Sequence, residues 1–230
     1  MSFLNTGSRE IRMIKATYIR HCGDDLAVVN AARVSYGKES QLECIDMVKG
    51  KYVLKHQDEK LIKFLAREEH TSPFNHAFAT FHVKAPIYVA RQLQKHSYMP
   101  WNEISRRYVK TKPEFYEPVW RSAAEDKKQG SGGNMEHQEA PHIINLRNYK
   151  EAVKDYFRLL EIGVCEEQAR QVLPQSLMTE WHWSGTMFAF ARMCNLRCKP
   201  DAQAETRIVA DEIDQVMAKL FPASWKALRK

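Results

Sequence analysis

The stretch that decides the architecture is HAFATFHVKAPIYVARQ, residues 76–92. Its first ten residues alternate side-chain character and are rich in aromatic and β-branched types, the pattern of a strand that buries one face. Pro86 then interrupts the alternation. Its fixed φ and missing N–H suit the first position of a helix, so the spacing predicts a strand over 76–85 running straight into a helix, IYVARQLQKH.

Reading outward, the same signals recur. Upstream, HQDEKLIKFLAREEH (56–70) sets Leu61, Ile62, Phe64 and Leu65 on one helical face, with Pro73 as its stop. IRMIKATYI near the start alternates as a strand would, and Asp24 or Asp25 can accept the free amide protons of a helix over DLAVVNAARVSY. Downstream, YKEAVKDYFRLLEIG is helical with Gly163 as its stop, EEQARQVLP is a shorter helix, and MTEWHWS is a second sheet strand. TMFAFARMCNL follows as a buried helix and DAQAETRIVADEIDQVMAKLF as an amphipathic one. Residues 121–142 are polar and Gly-rich and are expected to form a flexible surface insertion. No internal repeat is visible. Strands separated by helices, with the long helices gathered after residue 145, predict one α+β domain over 1–230, with an antiparallel or mixed sheet and a helical half. The connectivity is left open by these patterns.

Composition narrows the function classes. With 230 residues, 44% hydrophobic, the chain can bury a sizeable core. It has no run of eighteen apolar residues, and MSFLNTGSREIRMIK lacks the layout of a secretory signal, so a soluble, cytoplasmic protein with no membrane association is expected. The five cysteines, at 22, 44, 165, 194 and 198, form no CxxC pair, and their odd number argues for reduced thiols. The net charge of +7 favours anionic partners, yet the cations are interspersed with 28 acidic residues. That mixture points to small phosphorylated ligands before nucleic acid.

The chemistry-bearing segment is RQLQKHSYMPWNEISRRY, residues 91–108. Arg91 and Lys95 are one helical turn apart, as are Gln92 and His96. Glu103, Ser105 and Arg107 recur at alternate positions and point the same way if the chain is extended there. An arginine fork with a serine hydroxyl suits a phosphate, and Glu103 can accept a sugar hydroxyl or orient the arginine; a solvated basic segment has the same composition. His70, His76 and His82 are six residues apart with no HExxH, so no metal site is expected and structural roles suffice. Ser72 before Pro73 reads as a turn residue. Arg170 sits in an amphipathic helix, and Arg197 closes the apolar helix, where it either caps carbonyls or reaches into a pocket. The chain has no GxGxxG, no Walker loop and no nucleophile elbow, so an enzyme built on it would leave the hard step to an organic cofactor.

The segment KHSYMPWNEISRRY resembles the signature of the flavin-dependent thymidylate synthases, RHRxxSxNExSxRY, keeping His96, Asn102, Glu103, Ser105, Arg107 and Tyr108. AARVSY (31–36), HTSPFNHAFATFHVKAPIYVARQ (70–92), RQVLP (170–174) and NLR with DAQAE (195–205) also resemble family segments in family order. The resemblance implies a homotetramer with active sites at subunit interfaces. It implies reductive methylation of dUMP to dTMP, with methylenetetrahydrofolate as one-carbon donor and NADPH-reduced FAD as hydride source. By position, Gln92, Lys95, Glu103, Ser105, Arg106, Arg107, Arg170 and Arg197 would hold the nucleotide, with Arg107 and Arg170 on its phosphate. Arg197 and Ser105 would stand closest to the chemistry, Arg197 favouring the N3-deprotonated pyrimidine and Ser105 contacting phosphate or base without acting as a nucleophile. Ser72, Lys95, His96, Ser97, Glu103 and Arg192 occupy flavin-contacting positions. The family's Arg, His, Arg is Lys95, His96, Ser97 here, its next Ser is Pro100, and its usual Asn, Arg and Asn are Thr186, Phe188 and Arg192. The alternatives are a variant acting on another pyrimidine nucleotide, such as dCMP, or releasing a hydroxymethyl product, and a homologue that binds nucleotide or nucleic acid without catalysis. A hydrolase using the three histidines is a further one.

Overall fold

The computed structural model describes residues 13–125 and 130–230. At its centre the deciding stretch is a strand, β4 (Phe78–Pro86), after β1 (Lys15–Cys22), α1 (Asp25–Arg33), the hairpin β2 (Glu43–Asp46) and β3 (Lys51–Val53), and α2 (His56–Arg67). Helix α3 (Ile87–Leu93), β5 (Trp101–Glu103), α4 (Glu139–Glu161), α5 (Glu166–Ala169), β6 (Met178–Thr186), α6 (Met187–Arg197), α7 (Ala204–Leu220) and α8 (Pro222–Leu228) follow. The main sheet runs β1-β4-β6-β5, antiparallel at every pairing.

The alternation of β4 has its predicted consequence. Ala79, Phe81, Val83 and Ala85 are buried, while Thr80, His82 and Lys84 face the other way and are half-buried. Strand β6 does the same with Trp181 and Trp183. Phe190 of α6 meets both Phe81 and Trp183 edge to face, at centroid distances of 5.3 and 5.4 Å. The α-helical layer of α6, α7 and α8 closes over this apolar face, with Ile213 and Met217 fully buried.

The pairing of β4 with β6 is symmetric about His82 opposite His182, and runs from Phe78 opposite Thr186 to Pro86 opposite Met178. Each of these strands passes directly into a helix, α3 after Pro86 and α6 after Thr186. Because the helices start at opposite ends of the pair and fold back over the same face, their C-terminal ends meet, with Arg197 Nη2 donating to the Gln92 carbonyl at 3.3 Å. The strand pairing thereby places two distant segments side by side.

Some local expectations are corrected. On α2, Ile62 and Leu65 are buried but Phe64 is 44% exposed, because Asp58 shares the buried face with them. That helix ends at Arg67, where the chain turns through Glu69 at a φ of 55°; Pro73 belongs to the following 3-10 turn, Ser72–His76. Helix α4 begins at Glu139, ten residues before Tyr149. Of the insertion expected at 121–142, residues 126–129 lie outside the described residues. Its flanks are joined by a bridge between Arg121 and Asn134, and 139–142 belong to α4. Among the described residues no helix is long and apolar enough to cross a membrane, and no group of His, Cys, Asp or Glu is placed to hold a metal ion.

Candidate functional site

The site begins where α3 runs out. The His96 amide closes a turn onto the Leu93 carbonyl at 3.1 Å, and Tyr98 takes a left-handed φ of 64° that reverses the chain into β5. Lys95, His96 and Ser97 are thus carried on the turn and not on the helix itself. From the other side comes the last turn of α6. Arg197 Nε donates to His96 Nε2 at 3.2 Å while Nη2 reaches the Gln92 carbonyl. Lys95, His96, Ser97, Arg192, Leu196 and Arg197 line a cavity of about 220 Å³.

Burial, followed by the charges of Arg197 and Arg192, lowers the pKa of His96 from 6.5 to about 4. It is uncharged at neutral pH. Burial also lowers that of Arg197, which stays cationic because a guanidinium loses its proton only far above neutrality. The result is a small cavity lined by two guanidiniums, a lysine and a neutral ring. Gln92 is held from behind: Thr206 Oγ1 donates to its Oε1 at 3.2 Å, and its Nε2 donates to Gln203 Oε1.

A second cavity, of about 500 Å³, shares Arg192 and Leu196 with the first. Its walls include Phe74, Phe188 and Ala191, and Lys199 and Lys230 add charge at its edge. The Arg192 guanidinium lies 6.0 Å from the Phe188 ring centroid. Ser72 is exposed and Thr71, its neighbour, lines the cavity instead. Thr186 serves the structure, its hydroxyl accepting from the Ala189 amide and donating to Asn75 Oδ1.

The remaining predicted residues form a separate group. Glu103 receives Thr179 Oγ1 at 2.6 Å and Trp101 Nε1 at 3.0 Å. The strand stops there, and the chain turns as the Tyr108 amide returns to the Ser105 carbonyl, so Glu103, Ser105 and Arg107 do not share one side through extended alternation. Ser105 Oγ accepts from the Arg107 amide at 3.3 Å, and Arg106 is folded onto the Thr111 carbonyl. Arg107 and Arg170, sixty-three positions apart, meet at one residue: Arg107 Nη2 pairs with the Glu167 carboxylate at 3.3 Å, and Arg170 Nε donates to the Glu167 carbonyl at 3.3 Å. This exposed pair of guanidiniums can take a dianion in exchange for Glu167. Glu103, Ser105, Arg106, Arg107 and Arg170 line neither of these two cavities.

Sequence reasoning noted Gln203 only as one of the polar residues after Arg197, with no role, and did not reach Thr206. Both stand at the start of α7, in the segment DAQAET that follows Arg197, and a polar side chain facing inward from that helix start is the signal they offered.

A family model described as thymidylate synthase complementing protein matches residues 17–223. The flavin-dependent thymidylate synthase of Thermus thermophilus is 40% identical over 209 residues, covering 90% of this chain and 73% of its own. That of Thermosipho africanus is 37% identical, covering 90% and 87%. Among solved structures, the UMP/dUMP methylase PolB of Streptomyces cacaoi, bound with 5-Br dUMP, superposes with a TM-score of 0.79 at 30% identity, covering 93% of this chain and 94% of its own.

Proposed function

The chain belongs to the flavin-dependent thymidylate synthase family, and from that premise we propose that it methylates C5 of dUMP to give dTMP, taking the carbon from methylenetetrahydrofolate and reducing equivalents from NADPH through FAD. The observation that carries this reading is the cationic cavity at Arg197, with a neutral His96 and an oriented Gln92 beside it.

The residues fit a flavin dinucleotide. Apolar walls at Phe74, Phe188 and Leu196 offer surface to its aromatic rings, and Arg192, common to both cavities, with Lys95 and Ser97 of the smaller one offer charge and hydrogen bonds to its diphosphate. When bound, the flavin supplies the hydride. His96 stands on the wall of the smaller cavity, Glu103 accepts a sugar hydroxyl, and the exposed Ser72 adjoins Thr71 on the wall of the larger one.

Arg197 addresses the pyrimidine. A guanidinium at the carbonyl and N3 stabilises the deprotonated base, and the electron density pushed to C5 makes that carbon the nucleophile. No cysteine thiol is needed to activate the ring; Cys194, the thiol on the same helix as Arg197, is buried in the core. Ser105, Arg106, Arg107 and Arg170 hold the phosphate, and Lys95 and Gln92 border the sugar and base. Since the two arginine groups lie apart in one protomer, the site is completed between protomers of a homotetramer. A second reading, acceptance of UMP, is favoured by the name of the solved relative, a UMP/dUMP methylase.

The test is mass spectrometry of the product after incubation with dUMP, UMP or dCMP, methylenetetrahydrofolate, NADPH and FAD. A methyl gain on dUMP is expected, and it should vanish in Arg197→Ala with the fold intact. Transfer to dCMP alone, a hydroxymethyl product, or full activity in Arg197→Ala would each overturn the proposal.

A further inference from the structure

We infer that His96 is the positioning residue of Arg197: it carries its proton on Nδ1, leaves Nε2 bare to accept the Arg197 Nε–H, and so fixes which guanidinium N–H groups face the ligand. The inference rests on the reading of Arg197 as the pyrimidine contact.

Arg197 Nε and His96 Nε2 meet at 3.2 Å. Arginine has five N–H donors and no acceptor, so the imidazole nitrogen opposite its Nε must offer a lone pair. A protonated imidazole has none. The tautomer therefore follows from chemistry: Nε2 bare, Nδ1–H. Of the other donors, one on Nη2 goes to the Gln92 carbonyl. Nη1 and the second hydrogen of Nη2 remain for a ligand in the cavity.

The surroundings keep the ring in this form. The charged groups around it are Lys95 on its own turn and Arg192 and Arg197 on α6, all cationic, and no carboxylate lines the cavity among the described residues. The ring is also pre-set by its backbone, between the turn closed on Leu93 and the left-handed Tyr98. A flexible arginine closing a helix would otherwise fold back onto the free carbonyls of its last turn. Anchoring Nε on a rigid ring and Nη2 on a backbone carbonyl leaves the guanidinium plane little freedom, and a fixed dipole costs no reorganisation when the substrate's charge develops.

Two measurements on the flavin-loaded protein test this. In histidine-¹⁵N-labelled protein, with His96 assigned by its loss in His96→Gln, long-range ¹H–¹⁵N correlation should show the neutral Nδ1–H tautomer at pH 7. A protonated Nε2 would overturn the inference. In the second, dUMP affinity is measured by calorimetry for His96→Leu, Arg197→Ala and the double variant, with flavin loading and thermal unfolding recorded for each. Each single variant should weaken dUMP by about tenfold or more, the equivalent of one charge-assisted hydrogen bond. The double variant should be little worse than Arg197→Ala, and His96→Gln, whose carbonyl oxygen can accept, should recover most of the loss. Additive losses, or no rescue by Gln, would mean that His96 acts elsewhere. If Arg197→Ala binds dUMP normally while the tautomer is as expected, the functional reading fails and the positioning contact stands.

Discussion

Asp58 shows how tightly single residues are constrained. It is fully buried, and both oxygens are occupied: Oδ1 by Nε and Nη2 of Arg33, Oδ2 by the Ser40 hydroxyl. Arg33→Ala would strand a buried carboxylate, and a loss of about 3–5 kcal/mol is expected by urea unfolding, with Arg33→Met/Asp58→Leu recovering much of it. His96 gives a pH signature. Its pKa is 6.5 when free and about 4 in the fold, so between these values the unfolded chain takes a proton that the folded one refuses. Stability contributed by the neutral ring is intact above pH 6.5, falls as pH drops below it, and is lost by about pH 4. Thermal unfolding at pH 7 and pH 5 should show a larger acid drop in the wild type than in His96→Gln. His96 was singled out from the sequence but its contact with Arg197 was not, and no pattern marked the pairing of Asp58 with Arg33. Alternation at Glu103, Ser105 and Arg107 fits a strand, yet the hydrogen bond from the Tyr108 amide to the Ser105 carbonyl, invisible to a period-two count, turns the chain away.

Elements were legible where burial follows a period. Strands β4 and β6 bury one face, so their alternation is unambiguous. The start of α4 was hidden because Ile143 and Ile144 are 62% and 53% exposed, so the first turns bear no apolar stripe. The capping aspartates divide the work between two helices. Of the two aspartates the sequence left open as the cap of α1, it is Asp24 whose Oδ1 accepts the Ala27 amide. Asp25 instead accepts the Ala223 and Ser224 amides, both at 2.9 Å, and caps α8 at the far end of the chain. A residue in the first turn of one helix thus closes another, which no local pattern reveals. Asp25→Ala should cost about 1–2 kcal/mol in chemical denaturation, and Asp24→Ala about 1 kcal/mol or less because its bond is exposed.

For the whole molecule, the distribution of arginines raises the sharpest question. Arg197 looks into one cavity, while Arg107 and Arg170 converge on Glu167 outside it. The sequence resemblance assigned all three to one nucleotide site, and only the folded chain shows Arg107 and Arg170 meeting at Glu167 while Arg197 lines a cavity that neither of them lines. Apolar side chains at the hairpin tip, Met47 and Val48, are 88% and 98% exposed, and Tyr36 nearby in sequence is 80% exposed, surface that suits burial against another copy. If protomers complete each other's sites, the protein in solution should have about four times the 26.8 kDa chain mass by light scattering. The decisive experiment mixes two inactive variants. On the proposed reading, Arg107→Ala lacks the phosphate contact and Arg197→Ala the pyrimidine contact. If each site takes its two arginines from different protomers, variants dissociated together and reassembled at equal amounts give sites of which about a quarter inherit both native residues. Activity near a quarter of wild type is therefore expected after mixing, against none for either variant alone. A site contained within one protomer would recover nothing, because every chain in the mixture lacks one of the two guanidiniums.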